Sequence, residues 1–311
     1  MVTGLERIAL EETGQRAVVA WNGTEEVLIL STDMKSSQSA VVLEVIPLPS
    51  NPTVLQGDSE SFKTLAHFLS EKMRTREENY EGVEVTFHQK IGVHDVTVVK
   101  VSDLAYFEEW VAQFTQEKGI AFTEFPSGFE QTVSHYLEKS INYFVFDVVE
   151  INESTQSIDP LVYRFESNYL YYPLEITATS DIGHSYSRVT LFLITEEKID
   201  TLHLLKYYPQ MGYSSSMGFT REELRGVDPN LDLFGGPAFV MSVFYSGPLN
   251  VLTEDIVYPE FGEFGDKQPV ASESIAAALS VGVEPTGHAK IMAVLWIVIL
   301  FLAIAAVNRS S

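Results

Sequence analysis

The sequence predicts an α+β protein, with largely antiparallel sheets and packed helices, followed by one C-terminal transmembrane helix. Three observations predict it. Short β-rich runs are interleaved with amphipathic helical repeats in no strict β-α-β rhythm, the pattern of an antiparallel sheet covered by helices. Hydrophobic residues make up 45% and aromatics 12% of the 311 residues, enough for one large or two moderate domains with real cores. Ile291 to Val307 (IMAVLWIVILFLAIAAV) contains no polar residue. At ~1.5 Å rise per residue this run is roughly 26 Å long as a helix, the lower limit for crossing the hydrocarbon core of a bilayer.

The elements follow in chain order. Arg16 to Trp21 (RAVVAW) and Thr24 to Leu30 (TEEVLIL) flank Asn22-Gly23, a dipeptide that accepts positive φ at both centres of a type I′ turn, so the chain opens on a hairpin. Ser31 to Ala40 is polar and predicts a loop, Val41 to Ile46 predicts a third strand, and Pro47, Pro49 and Pro52 predict its stop. Asp58 or Ser59 caps a helix in which Phe62, Leu65, Ala66, Leu69 and Met73 form one apolar stripe. Val83 to Phe87 and Val96 to Val101 predict strands. Ser102 or Asp103 opens a helix carrying Leu104, Phe107, Trp110, Val111 and Phe114, closed by Gly119. Another helix near Phe129 to Lys139 leads into the strand Ile141 to Ile151 (INYFVFDVVEI).

Leu161 to Phe165, Tyr169 to Thr177 and Arg188 to Thr195 predict three more strands, the last preceded by the polar loop Ala178 to Ser187. Thr220 and Glu223 have the spacing of a capping box. Phe239 to Tyr245 and Val251 to Tyr258 predict a closing β pair around Gly247-Pro248. The organisation read from this is a globular body over 1–259, divisible into two subdomains near 152–160, and a flexible acidic stalk over 260–289. A transmembrane helix over 290–308 and a short tail at 309–311 complete it. Lys290 and Arg309 sit where they can snorkel to the two head-group layers, and Trp296 is the amphipathic ring inside the run.

Charge and composition exclude several classes of function. A formal net charge of −23 and a pI near 4.6 give a field that repels phosphate backbones, which excludes nucleic acid as a partner. The chain has no cysteine, so disulfides, thiolate metal sites and thiol nucleophiles are excluded. No phosphate-cradling glycine loop or dinucleotide fingerprint is present, and no cofactor is identifiable. Met1 to Leu10 has none of the positive, apolar and cleavage regions of an export signal. Either the body is cytosolic on a tail anchor, or the true start lies upstream; one cation on each flank of the anchor leaves the orientation open.

Few residues invite chemistry. Gly183-His184-Ser185-Tyr186-Ser187 falls one residue short of a G-x-S-x-G nucleophile elbow and reads as a solvated hairpin loop. His88 and His94, with Asp95 adjacent and Glu84 on the strand face of His88, are zinc-ligand types near one turn, although no H-E-x-x-H spacing fixes them on one face. Glu254, Asp255, Glu260, Glu263 and Asp266 supply oxygen ligands for calcium without the order of a defined loop, so a solvated acidic linker is the competing reading. Tyr169 and Tyr171 share one side of a strand and suggest an aromatic binding face for a protein or glycan, the alternative being a core role. Asn22 and Asn152 lie in glycosylation sequons, of which Asn152 in a loop is the better acceptor.

The succession QRAVVAWNGTEEVLILSTD, VLEVIPLPSNPTV, HDVTVVKVSDLAYFEEWVAQFTQEKG, YFVFDVVEI, PLVYRFESNYLYYPLEIT and VLTEDIVYPE resembles a family of exported bacterial and archaeal cell-envelope proteins of unknown function. The resemblance covers roughly Gln15 to Glu260 and lies in the order of the blocks. It implies an extracytoplasmic domain with a C-terminal anchor, single-pass in the cell membrane; no functional residue is carried over with it. The expectation is therefore a membrane-anchored envelope protein with a non-catalytic binding or structural ectodomain, the alternative being a membrane-tethered, hydrolase-like enzyme.

Overall fold

The computed structural model describes residues 2–4, 10–37, 39–74, 94–118, 120, 125–126, 128–151, 156–180 and 186–259. The chain divides into two units, 1–79 with 90–265 and 80–89 with 266–311, and every described residue belongs to the first. The strand Val83 to Phe87, the stalk at 260–289, the transmembrane helix at 290–308 and the tail at 309–311 lie outside the described residues. Among the described residues no helix is long and apolar enough to cross a membrane.

The first half of the chain runs β1 (Val2–Gly4), β2 (Leu10–Trp21), β3 (Glu25–Ser36), β4 (Ala40–Leu48), β5 (Thr53–Gln56), α1 (Glu60–Arg74), β6 (His94–Lys100), α2 (Leu104–Glu117), α3 (Phe129–Glu138) and β7 (Tyr143–Ile151). The second runs β8 (Gln156–Ser157), β9 (Leu161–Glu166), β10 (Leu170–Tyr172), β11 (Tyr186–Thr195), α4 (Thr201–Tyr207), β12 (Gly212–Tyr213), β13 (Met217–Phe219), α5 (Arg221–Val227), β14 (Ala238–Pro248) and β15 (Ile256–Tyr258). The large sheet has the order β12-β14-β11-β2-β3-β9-β5, with β13 on β14 and β8 on β3; a four-stranded sheet has the order β1-β4-β7-β6; and β10 pairs with β15. The mixed α+β, largely antiparallel expectation holds, with the β11–β2 pair parallel.

The opening hairpin forms with its turn displaced by one residue. Trp21 pairs with Glu26, so the turn centres on Gly23-Thr24. Gly23 has φ +97°, as the first centre of a II′ turn requires. Asn22 instead accepts through Oδ1 from the N–H groups of Thr24 at 3.1 Å and Glu25 at 2.9 Å. The strands also run further than their apolar stretches. Ser31 to Ser36 continue β3 rather than forming a loop, because their polar groups find partners: Ser31 Oγ donates to the Ile158 carbonyl at 2.7 Å, and Ile158 N–H donates to the Thr32 carbonyl at 3.0 Å. Pro47 does not stop β4; it faces Phe144 of β7, beyond the stretch Val42 to Glu44 that β1 covers on the other edge.

β2 and β3 lack period-two alternation because both faces of their sheet are buried. Val18, Ala20, Val27 and Ile29 pack with Phe62, Leu65 and Leu69 of α1 and with Leu224 and Val227 of α5. Ala17, Val19 and Leu28 face the other way, into a core shared with Leu43 and Val45 of β4 and with Phe144 and Phe146 of β7. Phe107 of α2 lies 5.2 Å from Phe144 and 5.8 Å from Phe146 between ring centroids, and Trp110 lies 4.8 Å from Phe146. The three predicted caps are present: Asp58 accepts from Glu60 N–H, Asp103 from Ala105 N–H, and Thr220 with Glu223 forms a complete capping box.

Two strand expectations are corrected. Tyr169 to Thr177 is not one strand: β10 ends at Tyr172, Pro173 has no N–H to continue a ladder, and Thr177–Thr179 form a 3-10 turn. The closing pair of β14 with the last strand does not form. β14 pairs instead along ten residues of β11, Tyr186 with Pro248 through Thr195 with Phe239, and β15 pairs with β10.

Candidate functional site

A polar junction lies where the four-stranded sheet meets the large one. Glu44 of β4 and Asp147 of β7 are direct cross-strand partners, and both are buried, at 8% and 1% exposure. Two carboxylates so placed repel, with little water to screen them. β6 lies on the other side of β7 and brings in His94, whose Nδ1 is 2.6 Å from Asp147 Oδ2. Its Nε2 is 2.9 Å from the Asp159 carbonyl, which can only accept, so Nε2 carries a proton. Burial works to lower the His94 pKa, but the hydrogen bond and charge of Asp147, the Asp159 carbonyl and Glu44 raise it above the ordinary imidazole value. Burial first, and the charge of Asp147 second, push Glu44 up to about 7 against a hydrogen bond from Thr32 of β3. Asp147 Oδ1 is buried and has no donor among the described residues.

β2 contributes Glu12, beside a bulge between Glu12 and Gly14 that interrupts the ladder to β3. Gln15 Nε2 donates to Glu12 Oε1 at 2.6 Å, and Tyr172 OH donates to Gln15 Oε1 at 2.9 Å. Burial raises Glu12 to about 6, opposed by the hydrogen bonds from Gln15 and Ser180.

A second buried carboxylate holds the last described strand in the body. Asp255, one residue before β15, is 5% exposed and accepts from Tyr136 OH at 2.9 Å, Glu175 N–H at 2.8 Å and Tyr171 OH at 3.2 Å. Tyr208 OH donates to its carbonyl at 2.5 Å, and Tyr136 OH in turn accepts from Ile176 N–H at 3.0 Å. Burial raises the Asp255 carboxyl to about 6, against the hydrogen bonds from Glu175 and Tyr136 and the charge of Lys139. Residues from α3, β10 and the 173–180 segment therefore converge on the Asp255 side chain, and the residue that follows α4 holds its main-chain carbonyl.

The sequence-predicted site residues are dispersed. His88, Asn152, Gly183, His184, Ser185, Ile291, Trp296 and Val307 lie outside the described residues. His94 and Asp95 do not converge: Asp95 is exposed and pairs with Lys118 Nζ at 2.5 Å, while both ring nitrogens of His94 are engaged, leaving no lone pair for an ion. Among the described residues no cluster of three or more His, Asp or Glu side chains is arranged to hold a metal ion. Asp255 is turned inward and saturated with donors, so it does not belong to a solvated acidic site. The aromatic face is corrected as well. Tyr171 is fully buried and Tyr169 is packed edge-on against it at 6.2 Å, because β10 is covered on both sides and Tyr171 OH has an acceptor in Asp255.

Glu44, Asp147 and Glu12 were not singled out by the sequence reading. The available signal was an acid flanked on both sides by apolar residues inside a strand, VVLEVI for Glu44 and VFDVV for Asp147.

A family model described as "Uncharacterized protein conserved in bacteria (DUF2330)" matches residues 6–217. No curated protein matches the chain. Solved structures similar to it include baculovirus P35, at 9% identity and TM-score 0.44 over 81% of this chain and 96% of that one. A mutated baculovirus P35 after caspase cleavage has 9% identity and TM-score 0.40, over 79% and 98%. A chain of the caspase-8/P35 complex has 8% identity and TM-score 0.39, over 79% and 95%. At these scores the likeness carries no inference about what this chain does.

Proposed function

The chain belongs to this family of uncharacterised bacterial proteins, DUF2330, and from that premise we propose that it is a single-pass, membrane-anchored protein of the cell envelope whose body is a non-catalytic binding or structural domain. The observation that carries the proposal is the polar-free run Ile291 to Val307 between Lys290 and Arg309, which has the length and flanks of a membrane span. The hold on β15 is consistent with it. The strand that precedes the stalk sequence is tied to the body by the β10 ladder and by Asp255, as a tether point should be. The inward pairing of the junction residues also favours a structural over a catalytic use of His94 and Asp147, since a catalytic pair has to reach a substrate.

The lack of native cysteine makes a direct test possible. Ser215, exposed in the body, and Ser310 in the tail are changed separately to cysteine, and intact cells are treated with a membrane-impermeant maleimide. Labelling at 215 alone is the expected result and places the body outside the cell membrane. Labelling at 310 alone would replace the envelope reading by a tail-anchored protein with a cytosolic body, and labelling of neither residue in membranes, with both in the soluble fraction, would end the membrane reading.

A further inference from the structure

We propose that α4 is the body's contact with the bilayer, laying Leu202 and Leu205 into the lipid interface of the membrane that holds the run Ile291 to Val307; the proposal rests on the membrane-anchored reading above. Leu202 is 73% exposed and Leu205 45%, and they stand three residues apart on the helix. At about 100° per residue, these two and Lys206 share one arc of about 100°, while the fully buried Leu204 turns the other side into the core. Elsewhere among the described residues the exposed large apolar side chains stand singly on their elements, as Tyr106 does on α2 and Tyr186 on β11.

This face is held in place. Asp200 caps α4 by accepting from Leu202 N–H at 2.9 Å, and Tyr213 OH lies 3.2 Å from the Leu204 carbonyl and 2.6 Å from that of Tyr208, which closes the C-terminal turn.

Placement and reach choose the occupant. Tyr208, which follows α4, donates to the Asp255 carbonyl. Burial first, and the charge of Glu197 second, raise the Tyr258 hydroxyl, so the chain on both sides of α4 borders the last strand. Residues 260–290 separate that strand's exit at Pro259 from Ile291. A flexible chain of that length has an r.m.s. end-to-end distance of roughly 30 Å. The bilayer is then a tethered partner of α4, and two leucines suffice for a contact that a free protein could not sustain. Two side chains fall far short of the roughly 1,000 Å² that a specific interface with a second copy requires. The net charge of −23 opposes anionic lipid, so the contact is apolar and suits a neutral bilayer. The stem of Lys206 lies along the leucines and keeps its ammonium, 4.9 Å from the Tyr207 ring centroid, among the head groups.

The test uses the full chain in phosphatidylcholine vesicles that carry a nitroxide on the lipid acyl chains. A polarity-sensitive fluorophore is attached to Lys206→Cys, which keeps both leucines, and in separate proteins to Tyr106→Cys and to Ala303→Cys. The lipid nitroxide should quench the label at 206 and leave the label at 106 unchanged. Adding Leu202→Asp and Leu205→Asp to the 206-labelled chain should lower its docked-to-free ratio at least about tenfold, with an unchanged urea midpoint showing that the body still folds. Quenching at 303 without quenching at 206, or equal quenching at 206 with the two aspartates present, would overturn the contact and leave the anchor standing. Absence of quenching at both 206 and 303 would overturn the anchor with it. Emission at 206 that follows protein density and ignores the lipid nitroxide would overturn the lipid contact in favour of a second copy.

Discussion

Replacing Tyr136 by Phe removes one oxygen from the Asp255 cluster and leaves the ring in place, edge-on to Phe144 at 6.4 Å, so no cavity forms. The hydroxyl makes two bonds. It donates to the Asp255 carboxylate at 2.9 Å, a charge-assisted bond of about 1.5–3 kcal/mol, and it accepts from Ile176 N–H at 3.0 Å, whose loss orphans a buried donor at about 1–3 kcal/mol. Asp255 keeps Glu175 N–H and Tyr171 OH, so part of the loss is recovered by relaxation and the net cost is about 3 kcal/mol at pH 7. Asp255 is raised from 3.8 to about 6 in the folded protein, so its contribution to stability is present below about 3.8 and is lost as pH rises through about 6. Tyr136 lowers that value, so its removal harms the charged form most, and the deficit of the variant should shrink from pH 7 to pH 5. Urea unfolding of the full chain at the two pH values measures both effects, with Tyr106→Phe, at a residue 71% exposed, as the control near zero. A deficit under about 1 kcal/mol at pH 7, or one that does not shrink on acidification, would refute the assignment of Asp255 as the centre of the cluster.

Two further outcomes follow from the buried polar groups. Stoichiometric zinc should leave the Tm of the wild-type chain unchanged, since both ring nitrogens of His94 are engaged. His94→Ala should cost about 3 kcal/mol in urea unfolding by stranding the buried Asp147 carboxylate; a zinc-dependent rise in Tm that His94→Ala abolishes would restore the metal reading. Glu26 is fully buried, receives Tyr171 N–H at 2.6 Å and is raised by burial well above its ordinary carboxylate value, which favours the neutral form. Glu26→Gln should therefore change stability by no more than about 1 kcal/mol, and a loss of about 3 kcal/mol or more would mean that the native side chain is charged.

Helices were legible because their signals are local. Asp58, Asp103 and Thr220 cap through donors two or three residues away, and the stripe Phe62, Leu65 and Leu69 needs only a face to meet. The strands over Arg16 to Leu30 and Ile141 to Ile151 were legible for the same reason, their apolar and β-branched content. Ala66 and Met73, read as part of the α1 stripe, are exposed, since the sheet beneath covers less of the helix than its full apolar width.

Residue order along the chain thus determined which segments are helical or extended, that the body has a large apolar core, that thiol chemistry is absent and that one run has the length to span a bilayer. Tertiary structure decided which strand pairs with which and what the buried acids do. β14 had to compete for an edge before its partner was settled, and β11 offers it ten residues where β15 has three. Tyr136 meets Asp255 across 119 residues and Tyr171 meets Glu26 across 145. Local sequence carries the backbone preferences of a few neighbouring residues. Whether an acid in an apolar strand is exposed or buried, and what partner it finds there, depends on contacts that exist only after the sheets have assembled.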